Sequence, residues 1–451
     1  RYLTKPTLEH VLLVGGTDVK KAVKGVKDRN CDVVVGTPGR IVDFIEKGAL
    51  KTSAVRLLVL DEADRLLQMD SLGEIMKIHN KLPQHGRNPT TTKQTQVCFF
   101  SATLHSPEIA RLSELICDRP VWVDLKGRDS VPETVHHVVV RVDPEKDEQV
   151  LMRRATVQAK TDGAAVGQGS EGREEARSDR LKRLKPQVLL GLVKALHMDQ
   201  ALIFCRTNLD CDLLEAFLTE AGGGQRFSGA RDSGKENAFS CCVLAGMRSM
   251  DERRANLKAF KEGYVRFLIC TDVAARGVDI KGLPFVVNMT LPDEPENYIH
   301  RIGRVGRQDC LGLAVSIVAA EGCKEKVWYH RNCTDRGRNC TNRNTLDRGG
   351  CTIWYDEPSL LKAVETRIHT SIPELGPAPD YTLPASLSGG SIQEVGPVEY
   401  GTKARGDDVA GGGDRARVEA HVQSLRPAVR ELAGLEFEAQ NIWLGMMQGR
   451  F

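Results

Sequence analysis

Short apolar runs bounded by turn residues recur along this chain at 11–14, 32–35, 57–60, 97–100 and 121–123, with helical patterns between them. A strand that alternates with a helix meets its neighbour through a crossover, and crossovers build parallel sheets covered by helices. A second series follows at 136–142, 201–204, 241–244, 266–269, 285–288 and 313–318. The pattern predicts an α/β fold in two lobes. At 451 residues the chain is long enough for each lobe to bury its own core.

The lobes are expected to join at 127–133, where Gly, Ser and Pro gather. That leaves a first lobe over 1–126 and a second over 134–320. Residues 143–180 are rich in Glu, Lys, Gln, Gly and Ala and poor in aromatic and β-branched side chains. Such a composition buries too little surface to order itself, so a disordered surface insertion is expected there. A Cys-rich extension with a helix is expected over 321–375. The Pro- and Gly-rich start of 376–451 reads as an extended tail. Within it Pro427 opens a helix with Val429, Leu432 and Leu435 on one face, to dock on the second lobe or to bind a protein partner.

Lys and Arg total 63 against 60 Asp and Glu, a net charge of +3, so any surface for nucleic acid has to be local. No apolar run approaches the ~18 residues that span a bilayer, and nothing at the start has the order of a secretory signal. The expectation is a soluble protein of the nucleus or cytoplasm, with no membrane partner. Arg1 in place of methionine suggests a fragment or a processed chain. The 13 cysteines include no Cys-x-x-Cys, and Cys98, Cys205, Cys241, Cys242 and Cys270 lie in apolar runs, where buried reduced thiols are expected.

Asp61-Glu62-Ala63-Asp64 closes the run 57–60. A carboxylate pair ending a buried strand is where phosphate-loop nucleotide hydrolases hold magnesium and orient the attacking water. Alone it is a weak signal, since acids often follow strands because loops face water. Thr37-Pro38-Gly39-Arg40 precedes it and Ser101-Ala102-Thr103 comes after, each closing an apolar run. Loops at the carboxyl ends of parallel strands are where α/β folds build their sites. In the second lobe Ala274-Ala275-Arg276-Gly277-Val278-Asp279 follows one strand. His300-Arg301-Ile302-Gly303-Arg304-Val305-Gly306-Arg307 then sets three arginines beside two glycines. Guanidinium groups on such a turn can grip phosphate oxygens bidentately; a solvated basic face is the plainer alternative.

In order and spacing these motifs resemble those of the DEAD-box RNA helicases, whose fold is two RecA-like lobes. Trp122-Val123-Asp124-Leu125-Lys126-Gly127, His136-His137-Val138-Val139-Val140 and Gly350-Cys351-Thr352-Ile353-Trp354-Tyr355 look closest to the branch carrying an inserted SPRY domain. The resemblance covers nearly the whole chain from Gly15-Gly16 onward. It implies RNA-stimulated ATP hydrolysis coupled to local duplex unwinding or RNP remodelling, with ATP and magnesium as cofactors. By this resemblance Asp61 holds magnesium through water and Glu62 orients the hydrolytic water. Asp64 joins a hydrogen-bonded link with Ser101, Thr103 and His300, and Arg304 and Arg307 act as arginine fingers. Arg276 and Gly277 are implied near the phosphates or in the lobe interface, with Asp279 near the ribose. RNA is implied to be held through its sugar-phosphate backbone at Gly15, Gly16, Thr37, Pro38, Gly39, Arg40, Arg206, Thr207, Gly246, Arg253, Thr271 and Asp272.

The sequence departs from that family in lacking the Gly-rich phosphate loop with its Lys and Ser/Thr, and the upstream glutamine for adenine. The nearest match, 229–236, ends in Glu236 where a hydroxyl is required, and no strand precedes it; it reads as a decoy. The expectation is an N-terminally truncated first lobe, inactive by itself, with exposed apolar surface and an unpaired strand edge. Ala245, Met250, Thr290 and Val305 stand where the family more often has His, Gln, Asp and Thr. A different class of answer is a non-hydrolysing RNA-binding or partner-binding module. A DNA translocase of the wider superfamily is disfavoured by Ala63-Asp64 together with Thr37 to Arg40.

Five cysteines fall between Cys310 and Cys351. His330, Cys333, Cys340 and Cys351 supply the one imidazole and three thiolates that tetrahedral zinc accepts. The spacing is loose and lacks Cys-x-x-Cys, so ordinary reduced thiols are the alternative.

Overall fold

The computed structural model describes residues 8–15, 31–68, 71–83, 95–101, 106–123, 131, 134–153, 155–165, 170–224, 237–246, 248–275, 283–306, 311–330, 333, 340–384 and 387. The chain divides into two compact units, Arg1–Arg128 and Asp129–Phe451. The division falls inside the span 127–133.

Unit 1 contains two parallel strand pairs. β1 (His10–Leu13) lies beside β2 (Val33–Gly36), with Leu13 opposite Gly36. β3 (Leu57–Leu60) lies beside β4 (Gln96–Phe99), with Leu60 opposite Phe99. The helices are α1 (Pro38–Glu46), α2 (Ala63–Gln68), α3 (Leu72–Lys81) and α4 (Pro107–Ile116). The start of α4 is written locally: the Ser106 hydroxyl accepts from Ile109 N at 3.3 Å, and Pro107 supplies the first helical φ. Ile109, Leu112 and Ile116 then share one face and pack with Leu60, Ala63 and Ile75. Leu12, Val35, Leu57 and Val59 are exposed on their strands, the apolar surface expected of the first lobe. The run 121–123, read as a strand, is not one: Val121 is 88 % exposed, Trp122 and Val123 are also exposed, and no described strand pairs with them.

Unit 2 is a six-stranded parallel sheet in the order β5–β10–β9–β6–β8–β7. The strands are β5 (Val135–Val142), β6 (Ala201–Phe204), β7 (Cys241–Leu244), β8 (Phe267–Cys270), β9 (Phe285–Asn288) and β10 (Gly312–Ala319). β6 to β10 are buried along their whole length, as befits parallel strands covered on both faces. α6 (Ser170–Ala195) and α7 (Asn208–Ala221) cover one face. α8 (Met250–Lys261), the short α9 (Asp272–Ala275), α10 (Pro295–Ile302) and α11 (Glu357–Ile368) cover the other.

The expectation of disorder over 143–180 is wrong for most of that segment. α5 (Glu148–Met152) lies within it, α6 begins at Ser170, and Val157, Ala159, Ala164 and Ala165 are buried. The segment orders by docking rather than through a core of its own. Lys182 reaches Asp162 at 2.6 Å, Gln187 donates to Val157 O at 2.6 Å, and Lys326 pairs with Glu175. Low apolar content misled because the sheet supplies the apolar half of the contact.

Residues 321–375 form an antiparallel pair, β11 (Glu325–Trp328) with β12 (Thr352–Tyr355), followed by α11. The ribbon rests on α6, where Lys326 N donates to Ser178 Oγ at 2.8 Å. Glu357, fully buried at the head of α11, pairs with Lys185 of α6 at 2.6 Å and accepts from Ala319 N at 2.9 Å. Lys185 also pairs with Glu325 of β11. The extended tail expected from 376 is likewise corrected at its start: Tyr381 is buried, and Gly376 N donates to Thr382 O at 2.9 Å. Gly191 makes room for the Tyr381 ring, since a Cβ there would lie 2.6 Å from it. The helix expected after Pro427 lies outside the described residues.

Candidate functional site

Parallel, in-register pairing brings the carboxyl ends of β3 and β4 together, and two backbone bonds lock their exits. Phe100 N donates to Leu60 O at 2.8 Å and Ala63 N to Phe100 O at 3.0 Å. Asp61 and Glu62 form the turn leaving β3. Glu62 has φ +47°, uncommon for a residue with a Cβ, and its carbonyl accepts from Arg65 N and Leu66 N to start α2. The Asp61 carboxylate accepts from Glu62 N at 3.0 Å. Asp61 is exposed, Glu62 half-buried and Asp64 buried on the first turn of α2. Two acids therefore face outward and one inward, with Ser101 just beyond β4 in the same unit. Outward carboxylates at a strand end are the donor type a hydrated magnesium ion accepts, so Asp61 and Glu62 fit that ion's chemistry.

Gly15 follows β1 and Thr37 follows β2, and Thr37 N donates to Leu13 O at 3.1 Å. Thr37 precedes α1 with Pro38 in the first turn, and its hydroxyl makes no capping bond. Pro38 has no N–H and Arg40 N donates to Thr37 O at 3.0 Å, so the first-turn donor placed at this strand end, as in helix termini that bind phosphate, is Gly39 N. Gly39 passes close to α3: a Cβ there would lie 2.9 Å from Glu74 Oε1, the movable end of that side chain. Arg40 is steadied by Asp43 at 3.2 Å and by the Phe44 ring at 5.4 Å.

In unit 2 the predicted residues also gather at the carboxyl ends of strands: Arg206 and Thr207 after β6, Gly246 after β7, Thr271 and Asp272 after β8. Three of them, Arg206, Thr207 and Asp272, have side chains engaged within the fold. Thr207 forms a reciprocal capping box with Asp210, which starts α7. Asp272 holds Arg301 bidentately at 2.6 and 2.7 Å. Arg301 also donates to Asn288 Oδ1 at 3.1 Å and Thr290 O at 2.7 Å, and stacks over Phe204. By sequence alone Arg301 groups with Arg304 as a phosphate ligand. The signal that separates them is spacing, for Tyr298, Arg301 and Ile302 share the buried face of α10.

Arg206 is held by the β11–β12 ribbon, with Nη1 donating to Trp328 O at 2.9 Å and the guanidinium 5.1 Å from the Tyr355 ring centre. Arg253 lies on α8, His300 on α10 and Arg304 just after it. Gly16, Thr103, Arg276, Gly277, Asp279 and Arg307 lie outside the described residues, so of the expected link among Asp64, Ser101, Thr103 and His300 all but Thr103 are described, Asp64 and Ser101 in unit 1 and His300 in unit 2.

The ligand atoms of His330, Cys333, Cys340 and Cys351 all lie within 4.8 Å of one another. Cys351 is buried, and His330 Nδ1 is buried with no hydrogen-bond partner among the described residues. Burial, then hydrogen bonds with Cys340 and Cys333, pushes the Cys351 thiol up to about 11. An enclosed imidazole nitrogen without a partner is costly unless something takes its lone pair or proton.

The family profile described as DEAD/DEAH box helicase matches residues 1–112, and that described as helicase conserved C-terminal domain matches 184–309. ATP-dependent RNA helicase DDX1 of Xenopus laevis is 45 % identical, covering 98 % of this chain and 56 % of the relative. Probable ATP-dependent RNA helicase ddx1 of Dictyostelium discoideum is 41 % identical, covering 97 % and 53 %. ATP-dependent RNA helicase Ddx1 of Drosophila virilis is 39 % identical, covering 85 % and 90 %. The chain spans about half the length of the first two relatives. Among solved structures, S. cerevisiae Dbp5 bound to RNA and ADP BeF3 gives a TM-score of 0.54 at 20 % identity, over 82 % of this chain and 70 % of that one. DEAD-box helicase Mss116 bound to ssRNA and UDP-BeF gives 0.50 at 23 %, over 69 % and 53 %. These two are likenesses of fold.

Proposed function

Because the chain belongs to the DEAD-box ATP-dependent RNA helicases, with DDX1 proteins as its relatives, we propose that its two RecA-like lobes serve RNA-stimulated ATP hydrolysis coupled to local unwinding or RNP remodelling. The observation that carries this reading is positional: each described motif residue from Gly15 to Asp272 stands at or just past the carboxyl end of a parallel strand or on the helix after it. Asp61 holds magnesium through water, Glu62 orients the attacking water, and Arg304 and Arg307 neutralise charge on the transferred phosphoryl group. Magnesium supplies charge for the phosphate oxygens; the protein supplies positioning. RNA is taken through its backbone by the first turn of α1, Arg40, Arg206, Gly246, Arg253 and Thr271. A Gly-Lys-Ser/Thr loop is not among these 451 residues. The chemistry is therefore proposed for a protein in which this chain meets such a loop, and no turnover for the chain by itself. The protein is proposed to work inside the cell, in nucleus or cytoplasm.

Glu62→Gln is the direct test, in a protein joining this chain to a phosphate-loop segment. Steady-state ATP turnover should fall by about 10²-fold or more, while RNA is retained in the presence of ATP. Normal turnover in the variant removes Glu62 from the reaction. A joined protein that binds RNA but never hydrolyses ATP favours the binding-module reading.

The zinc reading of His330, Cys333, Cys340 and Cys351 is part of the same proposal. It is supported by the donor set, one imidazole and three thiols, by the mutual approach within 4.8 Å and by the partnerless His330 Nδ1.

A further inference from the structure

Two strands of four residues make a marginal ribbon in water, and β11 and β12 are joined by the long connection 329–351. Closing that connection costs chain entropy that eight paired residues do little to offset. The four candidate metal ligands sit at the end of the ribbon where the connection begins and ends. His330 stacks on Trp328, the last residue of β11, with ring centres 5.0 Å apart and planes 14° apart. Cys351 immediately precedes β12, and its carbonyl accepts from Tyr329 N at 2.7 Å, extending the ladder by one rung. Gly350 lets the connection fold back tightly, since a Cβ there would lie 1.7 Å from Asn344 O. Thr352 Oγ1 then donates to the carbonyls of Arg343 and Asn344 at 2.8 and 2.9 Å.

The same ribbon is the seat of Arg206. The carbonyl that accepts from Arg206 Nη1 belongs to Trp328, whose ring carries His330; the ring beneath the guanidinium belongs to Tyr355, the far end of β12. Arg206 Nε is enclosed and has no hydrogen-bond partner among the described residues, so the described contacts that steer the side chain are those of the ribbon. Resting on the zinc reading above, we infer that zinc at His330, Cys333, Cys340 and Cys351 is a positioning clamp for RNA binding: it fixes the β11–β12 ribbon, and the ribbon aims Arg206 at the RNA backbone. The four ligands touch no RNA themselves. Their effect on RNA passes through Trp328 and Tyr355.

The experiment is a double-mutant cycle on the full chain, with metal content and affinity for a labelled single-stranded oligoribonucleotide read at one fixed salt concentration. The parent should carry one zinc per chain, and its cobalt(II)-loaded form should show thiolate-to-cobalt charge-transfer absorption. Arg206→Ala should keep zinc and weaken RNA binding about tenfold, the scale of one lost charge-assisted contact. Cys340→Ser should lose zinc and weaken RNA binding to a similar degree. The double variant should be no weaker than the worse single one. Cys340→His should restore both metal and affinity, and Tyr355→Leu should keep zinc while weakening RNA binding.

Multiplying effects in the double variant, or unchanged RNA affinity in zinc-free Cys340→Ser or in Tyr355→Leu, overturns the clamp and leaves the zinc reading standing. A parent chain without zinc overturns the zinc reading. If Arg206→Ala binds RNA as the parent does, Arg206 is not a contact and the clamp has nothing to aim.

Discussion

Arg301 is 2 % exposed and keeps its charge by directing every described bond inward, to Asp272, Asn288 and Thr290. Its neighbours in the motif look equivalent in the sequence, because composition and glycine spacing do not tell which arginine faces in. Helical spacing does, and Arg301 falls between Tyr298 and Ile302 on the apolar face. Arg301→Met should cost about 3 kcal/mol of unit 2 stability, since it strands the Asp272 carboxylate and Asn288. Arg301→Lys should recover part of that, because an ammonium cannot bridge both Asp272 oxygens while reaching the Thr290 carbonyl. Urea unfolding tracked by circular dichroism decides; equal stability of all three would mean that the bidentate pair contributes nothing. The place of Asp61 and Glu62 just past a strand was legible because an apolar run announces the strand's end. The inward turn of Asp64 was not announced by anything except its place in α2.

Strands were the elements easiest to read, since a run of four apolar residues closed by a motif leaves little choice of position. β3, β6, β7 and β9 occupy the runs read from the sequence. The segment 143–180 was the hardest, because its order depends on partners far along the chain: Lys326 pairs with Glu175 and donates from its N to Ser178 Oγ, and Trp328 Nε1 donates to Asp162 O. Burial pushes the Glu357 carboxyl up to about 7 from 4.5, against the pull of Lys185. For Lys185, burial lowers the ammonium, and the Glu325 and Glu357 charges outweigh it and hold it above its usual value. Folded Glu357 binds its proton more tightly than the unfolded chain does, so its share of stability is present at low pH and is lost as pH rises from about 4.5 to about 7. Glu357→Gln should flatten that part of the denaturation profile. Lys185→Met should destabilise by about 3 to 5 kcal/mol near neutral pH, because two enclosed carboxylates lose their shared cation. A profile whose slope is unchanged in Glu357→Gln would assign the proton to another group.

Across the whole molecule, the two units differ in how completely their strands are covered. Unit 2 buries a six-stranded sheet between two helical layers, whereas unit 1 distributes its apolar side chains over small clusters and leaves Leu12, Val35, Leu57 and Val59 exposed. Heating should therefore unfold the chain in two calorimetric steps, unit 1 first, and residues 129–451 alone should reproduce the upper step. A single transition shared by both would refute this. The alternation of strand and helix foretold the parallel sheets, but not the order β5–β10–β9–β6–β8–β7, because strand order is chosen by which crossovers pack and not by any one run. The seat of Tyr381 against Gly191 also constrains the residues C-terminal to it. The chain up to Pro384 is thereby pinned beside α6, so a side chain added at Gly191 would cost the hold on residues 376–384 as well as local packing.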